Sequence, residues 1–131
     1  LHSERAAHRA VEIASRYGAQ IEVLHIIEEM YFYDEWKDPV VADIPLRDES
    51  QRDYEIDSMH KFAERTGLGK DVRLEVQWGN PKRSIVSWAR EKGVDLIVTG
   101  SHGRHGIDRL LGSVSSSILH HAPCDVLIVK S

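Results

Sequence analysis

The chain has 131 residues, 41% hydrophobic and 29% charged, and carries a formal net charge of −4. This is the balance of one globular domain with its own core, and the acidic excess argues against a nucleic-acid surface as its main business. A lone cysteine, Cys124, excludes an internal disulfide framework and fits a reducing compartment; no apolar run approaches the about 20 residues that span a bilayer, and no signal peptide is visible at the start, so the chain reads as cytoplasmic.

The first element is a helix. Ala6, Ala7, Ala10, Val11, Ala14 and Tyr17 fall on one stripe, with Ser3 as the expected N-cap and Gly18 as the stop. Ala19 to Ile27 follows as a strand whose nearly continuous apolar residues suit burial on both faces. Glu29 to Arg47 breaks periodicity and holds Tyr31, Phe32, Tyr33, Trp36, two prolines and several acids; it reads as a surface excursion, with a lid as the alternative. A second helix covers Asp48 to Thr66, with Ile56, Met59, Phe62 and Ala63 inward and Gly67 at its end. Val72 to Trp78 alternates apolar and polar, as a half-buried strand does. After the turn Gly79-Asn80-Pro81, Asn80 is the expected N-cap of a third helix and Pro81 its first residue. Ile85, Trp88 and Ala89 are expected to face inward before Gly93 ends that helix. Leu96 to Thr99 is a buried strand, a helix opens at Gly112-Ser113 with Val114 and Ile118 on its apolar side, and Asp125 to Val129 is the closing strand.

Strands alternate with helices, so the sheet is expected to be mainly parallel, with helices on both faces. In such sheets a ligand sits outside the carboxyl ends of the strands. The stretch at one of those ends is Gly100 to Ser117, GSHGRHGIDRLLGSVSSS. Glycines let the backbone approach an anion, and the free N–H groups of a helix start favour negative charge. The hydroxyls of Ser113, Ser115 and Ser116 stand where they can cap the helix or donate to phosphate oxygens. A glycine-rich turn followed by a serine N-cap is the plain alternative.

Gly-x-x-Gly, a spacer, and Gly-Ser at the start of the last helix resemble the nucleotide-binding signature of the universal stress proteins. GNPKRSIVSWA before GVDLIVTGSHG is similar to that family's third helix and fourth strand, and APCDVLIVK to its last strand. The resemblance implies an open, doubly wound, five-stranded parallel sheet of the adenine nucleotide alpha-hydrolase-like kind. It also implies a central first strand, which is expected to lie before Leu1 and to end in an acidic residue that contacts the nucleotide. It further implies that the chain binds ATP, with or without magnesium, as a regulatory stress-response module. Carried over residue by residue, Ile26 lies against the adenine. Thr99, Gly100, His102, Gly103 and Arg104 lie along the ribose and phosphates, and Gly112, Ser113, Val114 and Ser115 hold the phosphates. Retention of all three glycines and Ser113 places the chain nearer the family branch that binds ATP. One departure stands out: Arg104 to Leu111 is one residue shorter than the family's spacing, which bears on where Arg104 and His105 stand.

Other chemistry is sparse. Adjacent His120 and His121 point about 100° apart on a helix and make a poor ligand pair, so no metal site is expected there or at His102 and His105. Cys124 reads as an inert apolar residue, and Ser113 has no identifiable base. No nucleotide-hydrolysing motif is present, so a binding module is expected rather than an enzyme. A slow ATP hydrolase, a small α/β transfer enzyme and a family dimer that binds no nucleotide are the alternatives. The run Asp125 to Val129 has no proline and no charge between Val126 and Val129. An open apolar edge of this kind is expected to self-pair, giving a homodimer with antiparallel copies of the strand; a covering of that edge by the 29–47 segment is the alternative.

Overall fold

The computed structural model describes residues 2–28, 30–31, 45–101 and 111–130. In chain order the elements are α1 (His2–Tyr17), β1 (Glu22–Glu28), β2 (Met30–Tyr31), β3 (Pro45–Leu46), α2 (Glu49–Arg65), β4 (Arg73–Gly79), α3 (Pro81–Lys92), β5 (Leu96–Gly100), α4 (Ser113–His121) and β6 (Asp125–Val129).

Several boundaries have a local chemical cause that the sequence announces. Asp48 caps α2: its carboxylate accepts the Ser50 amide at 2.9 Å and the Ser50 hydroxyl at 2.7 Å, and these bonds hold the carboxyl below its usual range. Asn80 caps α3 by accepting the Lys82 amide at 3.0 Å, and Pro81 takes the first helical position, where no amide is needed. Gly93 ends α3 at φ 62° and ψ 42°, a left-handed conformation that costs glycine nothing. Two expectations for α1 fail. The helix is already formed at His2, so Ser3 lies within its first turn instead of capping it. Tyr17 is 82% exposed. Helical spacing carries the stripe to the end of the helix, but the buried contact is made earlier, by Ala6 and Ala7.

β1 pairs with β4 in parallel, from Glu22 opposite Arg73 to Glu28 opposite Gly79. β5 pairs with β6 in parallel, from Leu96 opposite Asp125 to Gly100 opposite Val129. Each pair is a strand–helix–strand unit, the connection that parallel strands require. Among the described residues these pairs do not join into one sheet of five, because β1 and β5 do not hydrogen-bond to each other. The Glu29 to Arg47 stretch is not wholly irregular. Its ends pair as an antiparallel ladder, Met30 opposite Leu46 and Tyr31 opposite Pro45, while positions 32–44 lie outside the described residues.

Helices cover both faces. α1 packs on β5 and β6, and α2 on β4 and β1. Arg65 Nε donates to Glu4 Oε1 at 2.7 Å, which joins α2 to α1 on one face and draws the Glu4 carboxyl below its usual range. α3 packs on β1 and on α4, and α4 on β6, which makes the second face. The buried helix side chains are mostly short, Ala6 and Ala7 of α1, Ala63 of α2, and Val86 and Ala89 of α3, and the buried strand residues are Ile26 and Ile27 of β1 and Val76 of β4. The expected inward set of α3 is thereby shifted. Val86 and Ala89 are buried, whereas Ile85 and Trp88 are half-buried and Lys92 Nζ lies 5.0 Å from the Trp88 ring centre. On α2, Ala63 is buried and Ile56, Met59 and Phe62 are half-buried. Among the described residues no helix is long and apolar enough to cross a membrane.

α4 is seated by one residue. Ile118 is 1% exposed, while its neighbour Leu119 is 50% exposed. Ile118→Ala is therefore expected to lower the unfolding free energy by about 3 kcal/mol, the range for emptying a buried aliphatic site. Leu119→Ala is expected to change it by less than about 0.5 kcal/mol. Urea unfolding of both variants checks this; equal losses would mean that α4 is rotated from the orientation described.

Candidate functional site

The carboxyl end of β5 and the start of α4 meet in a tight junction. Past the last ladder pair, the Ser101 amide still donates to the Val129 carbonyl at 3.1 Å, which extends the β5–β6 pairing by one residue. Two carbonyls at this strand end then take donors from α4. The Gly112 amide donates to Ser101 O at 2.8 Å, and the Ser115 hydroxyl donates to Gly100 O at 2.6 Å. Thr99 Oγ1 also approaches Gly100 O, at 3.4 Å, a length that contributes little.

The first turn of α4 is left open. Its N-cap is Gly112, with φ −60° and ψ 155°, and no side chain caps it. The first helical hydrogen bond runs from the Ser116 amide to Gly112 O at 2.9 Å. The amides of Ser113, Val114 and Ser115 therefore have no partner among the described residues, as the first amides of any helix must without a cap. Three N–H groups at the positive end of a helix dipole, behind a glycine that puts no side chain in the way, are the features that favour an anion at a helix start.

The expected site residues divide into three groups. Thr99, Gly100, Gly112, Ser113, Val114 and Ser115 are brought together at this junction. Ile26 is buried near the end of the other strand pair, opposite Gln77 and close to Gly79, and no strand pairing or hydrogen bond among the described residues links it to the junction. His102, Gly103 and Arg104, with His105 and Asp108, lie outside the described residues. The hydroxyl of Ser115 departs from expectation: its proton goes to the Gly100 carbonyl, not outward to a ligand. Ser101 was missed. It is buried and bonds on both sides of its backbone, but a serine after a strand carries no pattern that would single it out.

Two shallow clefts lie elsewhere. One of about 200 Å³ is lined by Gln77, Arg83, Ser84, Ser87, Trp88 and Glu91. The other, of about 210 Å³, lies between α2 and β4. Among the described residues no group of three or more His, Cys, Asp or Glu could hold a metal ion. Cys124, just before β6, is half-buried; burial raises its thiol pKa, and the nearby Asp125 carboxylate adds to the shift. A raised pKa means less thiolate near neutral pH, hence slower alkylation. Iodoacetamide at pH 8 is expected to label Cys124 at least about 10-fold more slowly in the folded protein than in urea, followed by mass spectrometry. Equal rates would mean that the thiol is open to solvent.

Comparison with known proteins places this geometry. A family model described as the universal stress protein family matches residues 1–130. The chain is 36% identical over 126 residues to universal stress protein A homolog 2 of Coxiella burnetii, covering 93% of this chain and 82% of that one. It is 34% identical over 133 residues to a putative universal stress protein of Staphylococcus aureus, covering 98% of this chain and 77% of that one. Among solved structures, the universal stress protein UspA from Lactobacillus plantarum superposes with a TM-score of 0.72 at 26% identity, over 95% of this chain and 86% of that one. A universal stress protein in complex with cAMP superposes with a TM-score of 0.59 at 28% identity, over 98% of this chain and 87% of that one.

Proposed function

The chain belongs to the universal stress protein family, and from that footing we propose that it binds ATP or a related adenine nucleotide and works as a regulatory stress-response module. One observation carries the reading: the start of α4, where no side chain caps the helix and the amides of Ser113, Val114 and Ser115 have no hydrogen-bond partner among the described residues beside the end of β5. That end supplies what a phosphate needs, donors already aimed and a positive dipole, with no side chain at Gly112 to displace. The relative solved with cAMP supports an adenine-containing ligand. In the proposed arrangement Gly112, Ser113, Val114 and Ser115 hold the phosphates through backbone amides. Thr99, Gly100, His102, Gly103 and Arg104 flank the ribose and phosphates, and Ile26 offers an apolar wall to the base. Magnesium, if it accompanies ATP, would be held by the phosphates. The reading is of a binder, since the sequence carries no nucleotide-hydrolysing motif. The two parallel strand pairs are read as the two wings of one five-stranded sheet.

The test is calorimetric titration with ATP. Gly112 has an extended backbone that any residue adopts, so Gly112→Val introduces bulk without backbone strain. It is expected to weaken ATP at least about 10-fold, or about 1.4 kcal/mol, while leaving adenosine nearly unchanged. Unchanged ATP affinity in a folded variant would remove the phosphates from this turn.

We propose further that the protein is a homodimer paired along β6. Among the described residues β6 is hydrogen-bonded on one side, to β5, and its outer edge carries no strand. Its apolar run has none of the charges or prolines that blunt an edge, so pairing with a second copy about a two-fold axis would satisfy that edge. Leu127→Lys combined with Val129→Lys is expected to sediment as a monomer where the native protein sediments as a dimer. A folded double variant that remains dimeric would move the interface elsewhere.

A further inference from the structure

We infer that Ser115 is a positioning residue: its hydroxyl locks the start of α4 against the end of β5, and the ligand is met by the backbone so positioned, not by this side chain. The inference rests on the nucleotide reading and specifies how that site is kept in shape.

A serine hydroxyl has one proton to give. In Ser115 it is given to Gly100 O at 2.6 Å, in a position only 5% exposed. To reach a phosphate oxygen the hydroxyl would have to abandon that carbonyl, to which, among the described residues, the other side-chain donor is Thr99 Oγ1 at 3.4 Å. A half-buried carbonyl left short of a donor is costly, so the bond is retained. Nor does Ser115 act as a helix cap, since the N-cap is Gly112 and uses no side chain. Its hydroxyl therefore has one role, to join the third residue of the helix to the last residue of the strand.

The second bond of the junction shows why this matters. The Gly112 amide on Ser101 O fixes where the helix begins. Ile118 and the packing on α3 and β6 hold the far part of α4, but at the near end a single hydrogen bond sets one point and leaves the first turn able to tilt about it. The Ser115 bond lands one turn further along, on the neighbouring carbonyl, and removes that tilt. The three free amides of the first turn are then aimed before any ligand arrives, and binding loses less entropy in ordering them. The dependence should be felt by ligands that carry phosphate and not by the nucleoside alone.

The experiment compares native protein, Ser115→Ala and Ser115→Thr by calorimetry with ATP and with adenosine, alongside proton NMR of the native protein. Ser115→Ala is expected to weaken ATP about 10-fold, the size of one ordinary hydrogen bond, and to leave adenosine unchanged. Ser115→Thr restores the hydroxyl and is expected to bind ATP within about threefold of native. A slowly exchanging Ser115 hydroxyl proton is expected in the free protein and again, little shifted, when ATP is saturating. ATP binding by Ser115→Ala as tight as native would overturn the inference. So would loss or a large shift of the hydroxyl signal on adding ATP, because that is the mark of direct phosphate contact. Native protein that binds neither ATP nor adenosine is a different result, and it would sink the nucleotide reading itself.

Discussion

Two adjacent carbonyl groups, those of Gly100 and Ser101, set the geometry on which the functional end of this protein depends. At the end of a parallel strand such groups ordinarily turn to water or to the next strand. Here they take donors from the helix that follows, the Ser115 hydroxyl and the Gly112 amide. The helix start is thus referred directly to the strand, and the intervening chain does not have to position it. This bears on the one departure from the family's glycine spacing. The missing residue falls between Gly103 and Gly112, whereas the bond from Gly112 to Ser101 closes the stem from which that stretch hangs.

Packing explains why that turn can stay open. α1, α2 and α3 meet the strands through alanines and a valine, Ala6, Ala7, Ala63, Val86 and Ala89, so their backbones lie close to the sheet. α4 is seated by Ile118, well past its first turn. Burial therefore fixes the far part of α4 and hydrogen bonds fix its near part, which frees Gly112 to Val114 from any duty in the core. A site made of backbone amides needs no deep cavity. The two clefts described above lie elsewhere, beside α3 and between α2 and β4.

What was legible in the sequence was local. Asn80, Pro81 and Gly93 act within a few residues of themselves, and each sits where its chemistry places it, whereas Asp48, read as the first residue of the second helix, is its N-cap. The alternation of strands and helices, the helix start at Gly112-Ser113 and the closing strand were legible for the same reason. What escaped depends on partners distant in the chain. Periodicity includes Tyr17 in a stripe without knowing where the sheet stops beneath it. It selects Ile85 and Trp88 over Val86 because it counts apolar residues, whereas the available depth admits only the smaller ones. The ladder at the ends of the 29–47 stretch joins residues on either side of a long excursion, and two-residue strands carry no pattern of their own. A serine in a first turn reads from sequence as a helix cap or a phosphate donor; only the position of the Gly100 carbonyl shows that the Ser115 hydroxyl is engaged there.

β6 is bound into the same junction. Ser101 donates its amide to Val129, the last residue of β6, and accepts the Gly112 amide on its own carbonyl. One residue therefore separates the end of the strand proposed to pair two copies from the cap of the helix proposed to hold phosphate. The connection is short and made of backbone hydrogen bonds, and Ser101 is buried at 5% exposure. Linkage makes such an arrangement reciprocal: whatever a ligand at Gly112 does to the pairing of β6, pairing does to the affinity for that ligand. In the proposed arrangement the backbone of Ser101 is bonded to both elements, so the site and the interface would be joined by two consecutive hydrogen bonds.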